Sequence, residues 1–272
     1  MQRRSRTLAQ CLVSIALCVA SLAHAAGQHY EGYAYAIGNG NLLYRESHWQ
    51  YTEGNIERHL VVYSCANGDP FARKHVDAAA GAATPDFDML DARSGYREGV
   101  RTRQGPFPNT KYREVFEQTD ARAPERRAPL TVPRNAVIDA GLDAFVRANW
   151  NVLSDTGVSP VPILVPSRLG YMDFSARKLR DARVDGNDIR WFRISLAALA
   201  WVGFAIPHIE VGYDAVTREK REYRGLIDIR GDDNRNLNVR IDFPPGERRT
   251  DITLADVARA AETPLIGRCL FH

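Results

Sequence analysis

The chain reads as a mainly β protein. It is expected to form one large curved antiparallel sheet, or half-barrel, with one long helix against the concave face and a short helix near the C-terminus. Three observations predict this class. Apolar and polar residues alternate with period two along most of the chain, the signature of strands with one buried face. The alternating runs are separated by short Gly, Asn and Asp clusters that suit hairpin turns. Only two segments carry a helical period. A sheet of about a dozen strands must curl or split, and an apolar helix is the simplest filling for the hollow that results.

The elements follow in chain order. Residues 1–25 read as a secretory signal: Arg3, Arg4 and Arg6 form a basic start, residues 12–22 an apolar run, and Ala23-His24-Ala25 a small-x-small cleavage site. The apolar run is shorter than the ~20 residues of a membrane span. The mature chain, 26–272, is therefore expected as a single antiparallel β domain, secreted and periplasmic. Apolar residues make up 44% and charged residues 25% of the chain, as in ordinary globular proteins. The formal charge is +3, from 36 basic and 33 acidic residues; removing the three leader arginines leaves 33 against 33. A neutral mature chain lacks the positive face that nucleic acid requires. Neither nucleic acid nor a membrane span is expected among its partners.

Residues 30–37 and 42–51 alternate around Gly38-Asn39-Gly40-Asn41, which supplies the positive-φ positions of a tight hairpin. Residues 56–65 and 71–76 form a second pair across Asn67-Gly68. Strands are expected at 95–103 and 112–118. Residues 121–133, rich in Pro and Arg, read as a surface crossover. Residues 137–153 place Ile138, Leu142, Phe145, Val146 and Val152 at helical spacing, with Asp139 and Asp143 near the start, where acids suit the helix dipole. Residues 171–179 and 188–196 flank Asp185-Gly186-Asn187. Residues 208–214, 219–229 and 237–243 give three consecutive half-buried strands. Thr253, with Asp256 three residues on, marks the start of a helix over 253–262.

The familiar chemistry motifs fail on position. Ser175-Ala-Arg-Lys178 matches S-x-x-K, but in a strand those two side chains point to opposite faces. No G-x-S-x-G elbow occurs. His29, His48, His59, His75, His208 and His272 show no metal-ligand spacing. Asp232-Asp-Asn-Arg-Asn236 lacks the glycine and the closing glutamate of a calcium loop. No cofactor and no metal are therefore expected.

Two constellations remain. The polar one comprises Arg73, Lys74, Asp86, Asp88, Asp91, Arg93, Tyr96, Glu98 and Arg101. Mixed carboxylates and guanidinia on neighbouring strands build either an acid/base site or a salt-bridged solvent face. Its core as a hydrolase site is Arg73, Asp91, Tyr96, Glu98 and Arg101. The apolar constellation is the eleven-residue run 196–206, free of charges and hydroxyls. It reads either as buried core or as an apolar flap at the mouth of the sheet. Trp201 and Phe204 are the first ligand contacts on the second reading, with Trp191, Phe192 and Phe145 as wall residues. Cys65 and Cys269 are the two mature cysteines, and an oxidising compartment permits a disulfide between them.

Tyr30-Glu-Gly-Tyr-Ala34, Leu43-Tyr-Arg-Glu46, Pro70-Phe-Ala-Arg-Lys74, Asp91-Ala-Arg-Ser-Gly-Tyr-Arg-Glu-Gly99, Pro166-Ser-Arg-Leu169 and Pro207-His-Ile-Glu-Val-Gly-Tyr-Asp214 resemble a family of uncharacterised proteobacterial secreted proteins. That resemblance implies no activity and transfers no catalytic residue. The strand and turn layout is also similar, in architecture only, to half-barrel carriers of lipoproteins across the periplasm. The functional expectation is an envelope protein, not an enzyme, that binds an apolar or amphipathic, lipid-like ligand or envelope component in its concave face. The alternatives are the carboxylate hydrolase around Asp91–Arg101 and a scaffold with no pocket. The sequence leaves oligomeric state open.

Overall fold

A computed structural model describes residues 27–155, 157–197, 208–269 and 271. The strands are β1 (Gly27–Ala36), β2 (Leu42–Glu53), β3 (Ile56–Cys65), β4 (Pro70–Asp77), β5 (Asp86–Asp91), β6 (Tyr96–Gln104), β7 (Lys111–Gln118) and β8 (Arg126–Leu130). After two helices, α1 (Gly141–Ala148) and α2 (Trp150–Ser154), come β9 (Val158–Val165), β10 (Gly170–Val184), β11 (Asn187–Leu196), β12 (His208–Asp214), β13 (Lys220–Arg230), β14 (Asn236–Asp242) and β15 (Arg249–Ile252). Helix α3 (Leu254–Glu262) follows.

All strands join one antiparallel sheet in the order β8, β7, β6, β5, β4, β3, β2, β1, β14, β13, β12, β11, β10, β9. Two meanders therefore meet where β1 pairs with β14. The C-terminal half of β1 takes that pairing, while its N-terminal residues Gly27 and His29 pair with β15. The right-handed twist of each strand accumulates across so many neighbours and curls the sheet.

The sheet stays open between β8 and β9, and composition accounts for it. Pro129 lies in β8, and Pro160 and Pro162 lie in β9. A proline has no N–H for a second ladder, so such strands belong at edges. The two edges approach through side chains: the Arg126 guanidinium donates to the Ser167 carbonyl at 2.9 Å. The crossover expected at 121–133 thus contains an edge strand. Strand β5, whose acids read as polar surface, was also not expected, nor were β9 and β15.

The helix over 137–153 is corrected to two shorter ones. Val137 is captured by β9, donating its N–H to Pro162 O at 2.8 Å and accepting from Leu164 N at 3.0 Å. Asp139 has φ 45°, a left-handed conformation that no α-helix continues through. Helix α1 starts only at Gly141, where a Cβ would stand 2.1 Å from Ala83 O. Asn149, at φ −102° and ψ 15°, separates α1 from α2.

The helical segment does pack on the concave face, as expected. Phe145, Val146, Trp150 and Leu153 bury against Val161, Phe192, Ile194, Val211 and Tyr213. A larger core of Tyr44, Val61, Phe71, Met89, Val115, Ile138 and Ile241 fills the rest of the hollow. On the outer face, α3 covers Leu60 and Val62 with Val257. Its start is the expected capping box: Thr253 Oγ1 accepts from Asp256 N, and the Asp256 carboxylate accepts from Thr253 N. Cys65 and Cys269 form a disulfide, tying β3 to the C-terminal segment. Among the described residues no helix is long and apolar enough to cross a membrane.

Candidate functional site

The register of the first meander builds a polar row inside an otherwise apolar hollow. Tyr30, His48, Val61, Lys74, Met89, Glu98 and Glu117 stand directly opposite one another on β1 to β7. Directly opposed residues share a face, and this face is the concave one, since Val61 and Met89 belong to the core. Glu46 and His59 lie two residues from His48 and Val61 respectively, on the same face.

Lys74 is the centre of one cluster. Its Nζ donates to Asp139 Oδ1 at 2.6 Å and to Asp228 Oδ2 at 2.6 Å. The Lys74 side chain is 8% exposed, that of Asp139 10% and that of Asp228 36%, so Asp228 marks the solvent side. Asp139 reaches Lys74 because its left-handed backbone turns the segment between β8 and α1 into the sheet. Asp228 sits on an irregularity of β13. Pairing with β14 holds at Leu226 opposite Asn238, then resumes at Arg230 opposite Asn236. Three residues of β13 thus face one of β14, a bulge of the kind common near functional sites. Asn236 Nδ2 holds the bulge by donating to Ile227 O at 2.6 Å.

The electrostatics separate the three carboxyls of this cluster. Burial, reinforced by neighbouring Asp228, pushes the Asp139 carboxyl up to about 6 despite Lys74. Burial also acts on Asp228, but Lys74 outweighs it and holds that group below its ordinary value. Glu98 is raised well above the usual carboxylate range by burial and by Asp228. It accepts from Tyr96 OH at 2.5 Å, and its Oε1 has no partner. Arg230, stacked 3.6 Å from the Tyr96 ring, is held by Glu117 at 3.1 Å.

A second cluster adjoins the first. Glu46 Oε2 lies 2.9 Å from His48 Nε2, and His48 Nδ1 lies 2.9 Å from His59 Nε2. An ionised carboxylate only accepts, so His48 carries its proton on Nε2 and accepts at Nδ1 from His59. Burial lowers both histidines and keeps them neutral. The Tyr30 ring stacks on His48 at 4.5 Å. Asp143 accepts from Lys220 at 2.9 Å and from Tyr213 at 2.6 Å. Burial would raise Asp143, but Lys220 and Arg147 overcome it and bring the group down to about 2.

Both clusters border one cavity of about 230 Å³, whose lining also includes the apolar Ile163, Leu164, Ile209, Val211 and Ile227. His59, Ala140 and Asp143 also border a wider outer groove of about 510 Å³ beside Gln50 and Arg58. The concavity therefore brings charged and aliphatic side chains to the lining of one cavity.

The residues singled out from sequence are scattered about this site. Phe145 and Phe192 are on the concave face but pack in the core around Trp150, with Phe192 5.2 Å from its ring. Trp191 cannot share that face with its neighbour Phe192. It lies on the convex side under Arg180 and Arg224, at 4.6 and 5.2 Å. Trp201 and Phe204 lie outside the described residues. In the polar set, Asp91, Tyr96 and Glu98 face inward, but Asp91 is paired with Arg93 at 2.6 Å. Arg73 and Arg101 face outward: Arg73 donates to Thr263 O, and Arg101 bonds Glu114 at 3.0 Å and also Glu125. Of these five, only Tyr96 and Glu98 adjoin the Lys74 cluster.

Glu46, His48, His59, Asp139, Asp228 and Lys220 were not expected at the site. One signal was available for some of them. In β2 and β4, Glu46, His48 and Lys74 occupy the phase of the alternation that apolar residues hold elsewhere. Among the described residues no group of His, Cys, Asp and Glu is arranged to hold a metal ion.

No family model and no curated protein matches the chain. Among solved structures, it is similar to a β-barrel-like protein of the domain of unknown function DUF1849 from Brucella abortus. That similarity covers 81% of this chain and 99% of that one, with a TM-score of 0.47 and 8% identity. It is also similar to a DUF1329 family protein from Desulfovibrio piger, over 86% of this chain and 89% of that one, with a TM-score of 0.29 and 11% identity.

Proposed function

We propose that this is a secreted, periplasmic envelope protein that binds a small amphipathic molecule in the concave face of its sheet. The observation that carries the reading is the 230 Å³ cavity, lined by ionisable and aliphatic side chains together. A site of that composition fits a ligand with an apolar body and a polar head. Its volume lies below the ~300–1,000 Å³ of drug-sized pockets. That favours a single short chain or small ring over a lipid with two acyl chains. Native mass spectrometry of gently purified protein tests the reading, together with displacement of a lipophilic dye. A co-purified mass and a displaceable dye signal are expected. Absence of both would remove the binding role.

A second reading has one observation in its favour. Asp139 and Asp228 share Lys74 yet are shifted in opposite directions, an arrangement that pairs a proton donor with an acceptor. This moves the hydrolase reading from Asp91–Arg101 to the Lys74 cluster. Hydrolysis of a short chromogenic ester that disappears in Asp228→Asn would support it; no turnover in wild type would discard it.

A further inference from the structure

We propose that the molecule held in the concavity carries a cationic, ammonium-type head, received by Asp139 and Asp228. This rests on the reading of the cavity as a ligand site and adds the chemistry of the ligand. Four carboxylates border the cavity, Glu46, Asp139, Asp143 and Asp228, against two ammonium groups, Lys74 and Lys220. Both lysines are already committed: Lys74 to Asp139 and Asp228, Lys220 to Asp143. No lysine at the cavity is left to meet an anionic head.

The acceptor side is not saturated. Asp139 Oδ2 is buried and has no hydrogen-bond partner, on a side chain that is nine-tenths buried. An ionised carboxylate oxygen can only accept, and leaving one buried without a donor is costly. Two things satisfy it. One is a proton shared with Asp228. The other is an N–H donor bearing positive charge, brought in past Asp228 at the β13 bulge, where the carboxylate is partly open to solvent. Proton and ligand compete for the same oxygen.

The groups that set this balance come from every neighbouring strand. Lys74 and Asp228 act directly on Asp139, and Glu98, Tyr63 and Tyr223 lie within its field. Arg230 acts on Asp228 but is engaged by Glu117. Glu46, His48, His59, Asp143 and Lys220 complete the polar part of the lining. The cavity is about 230 Å³, below the ~300–1,000 Å³ of drug-sized sites, so a short, six-carbon amine is the probe of choice.

The test uses three probes of equal chain length on the full mature protein: n-hexylammonium, 1-hexanol and hexanoate, titrated calorimetrically at pH 7.5 and pH 5.0. At pH 7.5 hexylammonium is expected to bind at least about tenfold more tightly than the other two. It is expected to lose about tenfold at pH 5.0, since a carboxyl titrating at about 6 is then about nine-tenths protonated. Asp139→Asn should cause a similar loss at pH 7.5 and remove the pH dependence. The wild-type series carries the test even if that variant does not fold. Hexanol or hexanoate binding as tightly as hexylammonium would overturn the cationic head while leaving the cavity a ligand site. Calcium chloride alone abolishing hexylammonium binding at equal ionic strength would overturn it in favour of an inorganic cation. No binding by any probe, with no dye signal, would remove both readings.

Discussion

Replacing Asp139 by Asn isolates the charge of the buried carboxyl cluster. Asn tolerates the left-handed backbone at φ 45°, and its carbonyl oxygen preserves the acceptor for Lys74. What changes is ionisation. In the folded protein Asp139 titrates at about 6, against 3.8 for an unperturbed group. Between those values the native state binds the extra proton, so stability falls as pH rises. Below 3.8 both states are protonated and the penalty is absent; above about 6 it is complete. At ~1.36 kcal/mol per pH unit the full penalty is about 3 kcal/mol. Asp139→Asn has no such penalty. Its stability relative to wild type should therefore rise by about 3 kcal/mol between pH 3.5 and pH 7.5, with most of the change between pH 4 and 6. For a domain of this size that corresponds to a Tm difference changing by roughly 6–12 °C. Urea unfolding of both proteins across that range measures it. A difference that stays constant within about 0.5 kcal/mol, or that falls with pH, would refute the placement of Asp139 as a strained, incompletely paired charge.

Other perturbations have definite signs. Asp143→Asn should behave oppositely: Asp143 is depressed to about 2, so it adds about 2 kcal/mol above pH 3.8 that is lost as pH falls through 2. The variant should be less stable at neutral pH and equal to wild type near pH 1.5, as read by thermal unfolding. Reducing the Cys65–Cys269 disulfide, which spans 204 residues, should lower stability by up to about 5 kcal/mol; alkylation and intact mass of a protein comprising residues 26–272, without reductant, should find no free thiol. Gly141→Ala should destabilise by about 1–3 kcal/mol, because the added Cβ meets Ala83 O at 2.1 Å; an unchanged urea midpoint would show that α1 does not need that close approach.

The strands were largely legible because period two is a local property. Residues 56–65 and 208–214 coincide with β3 and β12, and the capping residues Thr253 and Asp256 mark α3 as expected. Where local signals conflict, the reading failed. Pro129, Pro160 and Pro162 argue against strands, yet edge positions tolerate them, and only the sheet order says which strands are edges. Phe145 to Leu153 carry a helical stripe, but the start of that helix depends on Val137 being taken by β9 and on Asp139 being turned toward Lys74.

The amino-acid sequence by itself determined the class of fold, most of the turns, and the fact that one apolar helical segment packs in the hollow. Alternation and turn chemistry act between near neighbours, and those are written in the chain. The tertiary structure alone decided the site. Lys74, Asp139 and Asp228 come from β4, from the segment before α1 and from a bulge in β13. No spacing in the chain encodes a meeting that depends on how far the sheet curls and which strand the crossover docks on.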